Sequence, residues 1–209
     1  MSSTDKKDVI IQAAIELFSE NGFEGTSIRD LAAKADVNVA MVNYYFGSKE
    51  KLFEAMVEQK ASFIREKLEE IVNDPGKSEL EKVDMVIENY VNRLVSQHKY
   101  HRVIHHELML QKRQSLHDNI IAVFTKNRNV MINILEAGIR KKIFREVDIE
   151  LTLVTMMGTI NQVLLSRPMC RMLVEQGADF DPYTNEQFKQ RLIKHIQQVM
   201  HAHLLYPNA

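Results

Sequence analysis

An all-α fold is predicted by three features of this 209-residue sequence. Apolar residues recur at i, i+3, i+4 and i+7 through each long segment, the spacing of one helix face. Breakers are scarce, with seven Gly and four Pro in the whole chain. Leu, Met, Lys, Glu and Gln, which lose little side-chain freedom in a helix, are plentiful. The expected organisation is an N-terminal three-helix head over residues 1–50, which carries a helix-turn-helix, and a larger helical body over 51–209. A helix at about 49–73 connects them.

The elements follow in order. The first helix spans about 5–20, with Ile10, Ala13, Ala14, Leu17 and Phe18 on its inner face. Asn21-Gly22 ends it, because Gly takes positive φ without steric cost. Thr26 or Ser27 caps the second helix, whose apolar face is Ile28, Leu31, Ala32 and Ala35. Ala35-Asp36-Val37-Asn38 breaks that pattern with turn-forming side chains. Asn38 caps a short third helix from Val39 to about residue 45, with Val37, Met41 and Val42 able to point inward. Ser48 caps the connecting helix, and Asp74-Pro75-Gly76 marks a hinge after it.

In the body, a helix at about 78–97 carries Val83, Val86, Ile87, Tyr90, Leu94 and Val95. Helices at about 100–112 and 116–142 follow. Asp148 caps the next, which is apolar nearly all round and therefore buried on more than one side. Arg167-Pro168 stops it near residue 166, and a loop with Gly177 and Asp181-Pro182 follows. Thr184-x-x-Gln187 reads as a capping box for a last helix ending near 205.

Two helices joined by a tight turn, the second short and bearing small, polar and aromatic groups, form the helix-turn-helix that reads the DNA major groove. Here the chain resembles the TetR family of transcriptional regulators. The residues that carry the resemblance are Thr26, Ile28, Leu31, Ala32, Ala35, Val37, Tyr44-Tyr45-Phe46, Ser48-Lys49 and Leu52-Phe53, with Ile10 to Phe18 and Asn21-Gly22-Phe23 before them. It covers residues 8–56. Asp36 stands where the family commonly has Gly, and Asp is the next easiest residue in a left-handed conformation. Asn43 stands where many members have Tyr, which bears on the bases read.

Matched to the family motif, Arg29, Val39, Ala40, Met41, Asn43 and Tyr45 approach base edges, while Ser27, Tyr44 and Lys49 hold phosphates. Asn pairs with adenine through two groups, Arg with guanine, and Ala or Val touches a thymine methyl. Phe46 reads as core, and Asp30 as solvated or bridging Arg29. Residues 1–50 hold five basic and eight acidic side chains, a net charge of −3 within a chain of net charge −1. Bulk charge therefore does not hold DNA here. Neutral donors and a few placed cations must do so, and the salt dependence per half-site should be modest.

The resemblance implies a ligand-responsive repressor. It would bind a pseudo-palindromic double-stranded operator as a homodimer and leave it when a small, largely apolar effector binds the body. The two recognition helices of such a dimer fit half-sites one helical turn or a multiple apart. The Met and aromatic content of the body suggests a pocket between the helices at 78–97, 116–142 and 148–166. Its lining would be Met85, Tyr90, Phe124, Asn127, Met131, Met157 and Asn161. The helices at 148–166 and 184–205 offer the dimer seam, through Leu153, Met156, Ile160, Leu164, Phe188, Leu192, Ile196, Val199 and Met200, an apolar surface that would also fit a monomer with a large core.

Competing readings rest on other residues. His98, His101 and His105 fall on one helical face, beside His106-Glu107, a spacing compatible with zinc or nickel. The fourth ligand is unassigned, and no metal or cofactor is expected. Cys170, the single cysteine, sits in a loop beside Arg171, which would favour its thiolate. A metal- or redox-responsive regulator on the same fold, and a helical scaffold without DNA binding, are the alternatives. No Gly-x-Ser-x-Gly elbow, phosphate-cradling Gly loop or His-Glu-x-x-His run is present, so an enzyme is not expected. No apolar run reaches the ~18–20 residues of a membrane span. No signal peptide is evident at the N-terminus, and a cytoplasmic location is expected.

Overall fold

The computed structural model describes residues 3–110 and 113–207. Among them the chain is helical and without strands: α1 (Ser3–Asn21), α2 (Ile28–Lys34), α3 (Val39–Phe46), α4 (Lys49–Asn73), α5 (Glu79–Ser96), α6 (His98–Leu110), α7 (Gln114–Arg140), α8 (Ile149–Leu164), α9 (Arg167–Leu173) and α10 (Glu186–Leu204). The all-α expectation holds, and most termini fall within two residues of the sequence reading. The last two residues expected in the sixth helix, 111 and 112, lie outside the described residues.

Local chemistry sets these ends. Gly22 closes α1 at φ 73° and donates its N–H to Phe18 O at 3.0 Å. Ser27, not Thr26, caps α2. Its hydroxyl accepts from Asp30 N while the Asp30 carboxylate accepts from Ser27 N at 2.8 Å, a closed capping box. Thr26 is buried, and its hydroxyl donates to Gly22 O at 2.9 Å. Ser78 and Glu81 close a second box at the start of α5, and Asp148 caps α8.

Two expectations change in the C-terminal part. Arg167-Pro168 ends α8 but also begins α9, because Ser166 caps it and Pro is tolerated in a first turn, where N–H groups have no helical partner. The α8 and α9 axes differ by 103°. At α10 the capping side chain is Asn185 rather than Thr184, with its Oδ1 accepting from Phe188 N at 2.8 Å.

The chain forms two compact units. The first comprises Met1–Ile64 and Lys99–Thr125, and the second Arg65–His98 and Lys126–Ala209. The division differs from a cut at residue 50, because its boundaries fall inside α4, after the first residue of α6 and inside α7. The first unit is centred on Ile10, Ala14, Leu31, Leu52, Phe53 and Met56, joined by Ile104, Leu116 and Ile120. Phe18, Phe23 and Phe53 form a ring cluster with centroids 5.3–5.7 Å apart. In the second unit α5, α8 and α10 pack together around Val83, Ile87, Ile160, Ile196 and Met200. Tyr183 ties the loop before α10 to this unit by donating its hydroxyl to Leu164 O at 2.6 Å.

Candidate nucleic-acid interface

The geometry of the α2–α3 pair begins with one residue. Asp36 stands at φ 52°, the left-handed conformation the resemblance anticipated. The chain reverses there, and Val37 N donates back to Ala32 O at 2.9 Å. Asn38 then starts α3, its side-chain oxygen accepting from Met41 N at 2.8 Å. Val42 and Phe46 anchor α3 in the core. Gly47, at φ 78°, ends it, and Ser48 Oγ accepts from Lys51 N to begin α4.

With Val42 and Phe46 inward, the opposite arc of α3 faces solvent. Val39, Ala40, Asn43 and Tyr44 are exposed, with Met41 and Tyr45 half-buried at the margins. Tyr44 is 83% exposed, and its ring meets Tyr45 edge-on at 5.3 Å. Lys7 Nζ lies 5.8 Å from the centre of the Tyr45 ring.

The charged residues of the head are placed differently from the expectation. Lys49 Nζ donates to Phe23 O at 2.8 Å and Thr26 O at 2.9 Å, and sits 4.3 Å from the Phe23 ring centre. Two of its three N–H groups thus hold the turn before α2, leaving one for a phosphate. Asp30 does not bridge Arg29, since its carboxylate is spent on Ser27. The Ser27 hydroxyl likewise donates to Asp30 at 2.6 Å. Both hydrogen bonds from Ser27 hold the Asp30 carboxyl below its ordinary range. Lys34 pairs with Glu16 at 2.9 Å. Arg29 remains exposed and forms no ion pair among the described residues. The Ser27-x-x-Asp30 spacing was a readable capping signal. The role of Lys49 had no such signal, because its partners lie over twenty residues away.

The residues expected to line an effector pocket are dispersed over the described residues. A void of about 20 Å³ in the second unit is lined by Val83, Val86, Met131, Ile134, Leu135, Thr152, Leu153, Met156 and Met200. Of the expected set it includes Met131. Met85 lies instead on an open groove with Lys67, Ile71, Asp74 and Asn92. Phe124 belongs to the first unit. Tyr90 donates its hydroxyl to Asn161 Oδ1 at 3.2 Å, and burial pushes its pKa up to about 12. Asn127 is buried, and Met157 is half-buried on α8.

The expected dimer seam also changes. Leu153, Met156, Ile160, Leu164, Phe188, Leu192, Ile196 and Met200 are buried within the protomer, and Val199 alone of the set is exposed. They fill the space among α5, α8 and α10 and are unavailable to a partner. The outward face of α8 is Leu151, Val154, Thr155, Gly158, Thr159 and Gln162, and that of α10 includes His195, Val199 and Ala202.

The three histidines part company. The His98 ring stacks on Tyr183 at 4.2 Å, while His101 and His105 meet edge-on at 4.3 Å. Burial lowers the His105 pKa. No group of three or more potential metal ligands occurs among the described residues. Cys170 lies inside α9 rather than in a loop. It is fully buried, and desolvation raises its pKa, the reverse of a reactive thiolate. No single described helix is long and apolar enough to cross a membrane.

A short, outward-facing α3 set by a left-handed turn behind α2, on an all-helical body, defines a helix-turn-helix protein of the class that reads the DNA major groove. Residues 10–56 match the bacterial regulatory proteins of the tetR family. The chain belongs to the TetR family of transcriptional regulators. The HTH-type transcriptional repressor NicS of Pseudomonas putida is 33% identical over 148 residues, covering 67% of this chain and 66% of NicS. The probable HTH-type transcriptional regulator YttP of Bacillus subtilis is 51% identical over 53 residues, covering 25% of this chain and 26% of YttP. The matches span less than two thirds of either relative's length. The fold is shared with the transcriptional regulator FadR from Bacillus subtilis, solved in complex with stearoyl-CoA. Its TM-score is 0.71 at 21% identity, covering 90% of this chain and 96% of that one.

Proposed function

We propose that this protein is a transcriptional repressor that binds a two-fold-related operator as a dimer and is released by a small, largely apolar effector. The observation that carries the reading is the outward arc of α3, above all Tyr44. An aromatic side chain 83% exposed on a short helix gains little from folding, and in a helix-turn-helix it stands where a phosphate or base is met. Arg29 and the remaining N–H of Lys49 supply the charge. The solvent-facing strip of α8 from Leu151 to Gln162, with the Val199 face of α10, is the dimer surface in this reading, and its small residues Thr155, Gly158 and Thr159 permit close helix approach.

The effector enters the second unit among α5, α7 and α8, with the Tyr90–Asn161 pair as a polar anchor. A void of about 20 Å³ is far below the ~300–1,000 Å³ of ligand sites, so binding must open the core. The effector then favours an open conformation over the one that fits the operator, and the shift can be no larger than its difference in affinity for the two. The likeness to a regulator that holds stearoyl-CoA makes long-chain acyl thioesters the first class to try.

Fluorescence anisotropy on double-stranded fragments from upstream of the protein's own gene, and on a random-sequence pool, tests the reading with wild type and Tyr44→Ala. Saturable binding that the variant loses, and that stearoyl-CoA reverses, is expected. A folded dimer that binds neither the fragments nor any member of the pool overturns it.

A further inference from the structure

The bases that α3 reads can be inferred from which of its side chains face outward, an inference that rests on the DNA-binding reading above. In the major groove guanine is read by Arg or Lys donating to O6 and N7, and cytosine by a carboxylate accepting from N4. The outward arc of α3 has neither. Its exposed residues are Val39, Ala40, Asn43 and Tyr44, none of them charged. Its single carboxamide, Asn43, has the donor and acceptor that match adenine N7 and N6, and Val39 and Ala40 present methyl groups of the kind that rest on a thymine C5-methyl.

The charged groups elsewhere in the head do not fill the gap. Lys34 is engaged by Glu16 and Lys49 by two backbone carbonyls, while the Asp30 carboxylate is closed into the α2 cap. Arg29 forms no ion pair among the described residues but stands on α2. Lys6 and Lys7 stand on α1, with Lys7 Nζ 5.8 Å from the Tyr45 ring centre, and Lys51 stands on α4, all outside the reading helix.

We propose that each operator half-site presents a run of A·T pairs to α3, with Asn43 specifying one adenine and Val39 and Ala40 contacting thymine methyls. Guanine readout is confined to cations outside α3, such as Arg29 and Lys7, at the edges of the half-site. Side-chain chemistry, not charge, sets the preference, so it persists as salt is raised while overall affinity falls.

Selection of bound sequences from a random double-stranded pool by the full-length protein is the test, followed by affinity measurements on the enriched site. The core of each half-site is expected to be A·T. Asn43→Ala should reduce discrimination at one A·T position by about 5- to 150-fold, the range of a bidentate base contact, and leave the others intact. Deoxyuridine in place of core thymine removes only the methyl group and should weaken wild-type binding by a few fold. An enriched core of G·C pairs overturns the inference while leaving DNA binding standing, as does a site whose base preferences survive Asn43→Ala unchanged. Failure to enrich any sequence, with a folded dimer confirmed by circular dichroism and sedimentation, overturns the DNA-binding reading itself.

Discussion

Arg113 grips Glu107 with two parallel hydrogen bonds, Nε to Oε1 at 3.0 Å and Nη2 to Oε2 at 2.7 Å. Both side chains are nearly removed from solvent, Glu107 at 4% exposed and Arg113 at 15%. The guanidinium also pairs with Glu24 and lies 4.2 Å from the centre of the Phe23 ring. Three segments of the first unit thus meet at one planar cation: the end of α6, the start of α7 and the turn between α1 and α2. Lys49 holds the same turn from α4.

Arg113→Ala should therefore destabilise the first unit by about 3 kcal/mol, because it strands the Glu107 carboxylate in the core. Pairing Arg113→Met with Glu107→Leu should recover most of that loss by removing the buried charge along with its partner. Urea denaturation followed by circular dichroism measures both, and a double variant as weak as the single one would show that the pair is not the source.

Gly138 leaves no room for a side chain. A Cβ there would lie 2.0 Å from Phe144 Cδ2, and Phe144 is fully buried beneath the end of α7. Gly138→Ala should cost about 1–3 kcal/mol through overpacking, although alanine normally favours a helix. Gly158→Ala on α8, with nothing within 4 Å of the added carbon, should instead raise the stability of the isolated protomer by about 0.5–1 kcal/mol. Opposite shifts in melting temperature would verify the contrast.

The α2 cap has a defined pH dependence. Ser27 holds the Asp30 carboxyl below its ordinary value, so the folded head favours the ionised form. Its contribution is complete above the ordinary carboxylate pKa and disappears as the pH falls through the depressed one. Asp30→Asn should lower the melting temperature at neutral pH, and the gap to wild type should close in acid below about pH 4. A gap that stays constant with pH would mean that Asp30 acts through packing alone.

The outward strip of α8 offers a clean test of assembly. Leu151 and Val154 are 62% and 63% exposed, so charge placed there meets solvent in a lone protomer. Leu151→Glu with Val154→Glu should leave helix content and monomer stability within about 0.5 kcal/mol of wild type while dissociating the dimer. Analytical ultracentrifugation reads the outcome.

Much of the reading head was legible residue by residue. Asp36 acts through its left-handed backbone and Asn38 by accepting from Met41 N, so their roles follow from the local chain. The α2 cap is legible too, since Ser27-x-x-Asp30 has the spacing of a capping box that commits the carboxylate to Ser27 rather than to solvent or Arg29. Helix α9 carries the same kind of signal in Ser166-Arg167-Pro168, where Pro both stops one helix and fits the first turn of the next. Arg113, Glu107, Glu24 and Lys49 carried none. Their partners are set by how helices dock, and an isolated Arg or Lys looks the same in sequence whether it reaches DNA or a backbone carbonyl.

From the sequence alone came every helix but α9, the caps at Asn38, Ser48 and Asp148, and the chemistry of the α3 face, because each depends on contacts within a few residues of chain. The left-handed turn at Asp36 came with the family resemblance. The tertiary structure alone decided which apolar stripes are spent inside the protomer. The Leu153–Leu164 stripe of α8 and the Phe188–Met200 stripe of α10 looked like a surface awaiting a partner, yet they close on α5 and on each other. Helical periodicity shows that a face must be buried. It carries no information on whether the covering surface belongs to the same chain or to a second copy, since burial in either place removes the same apolar area from water.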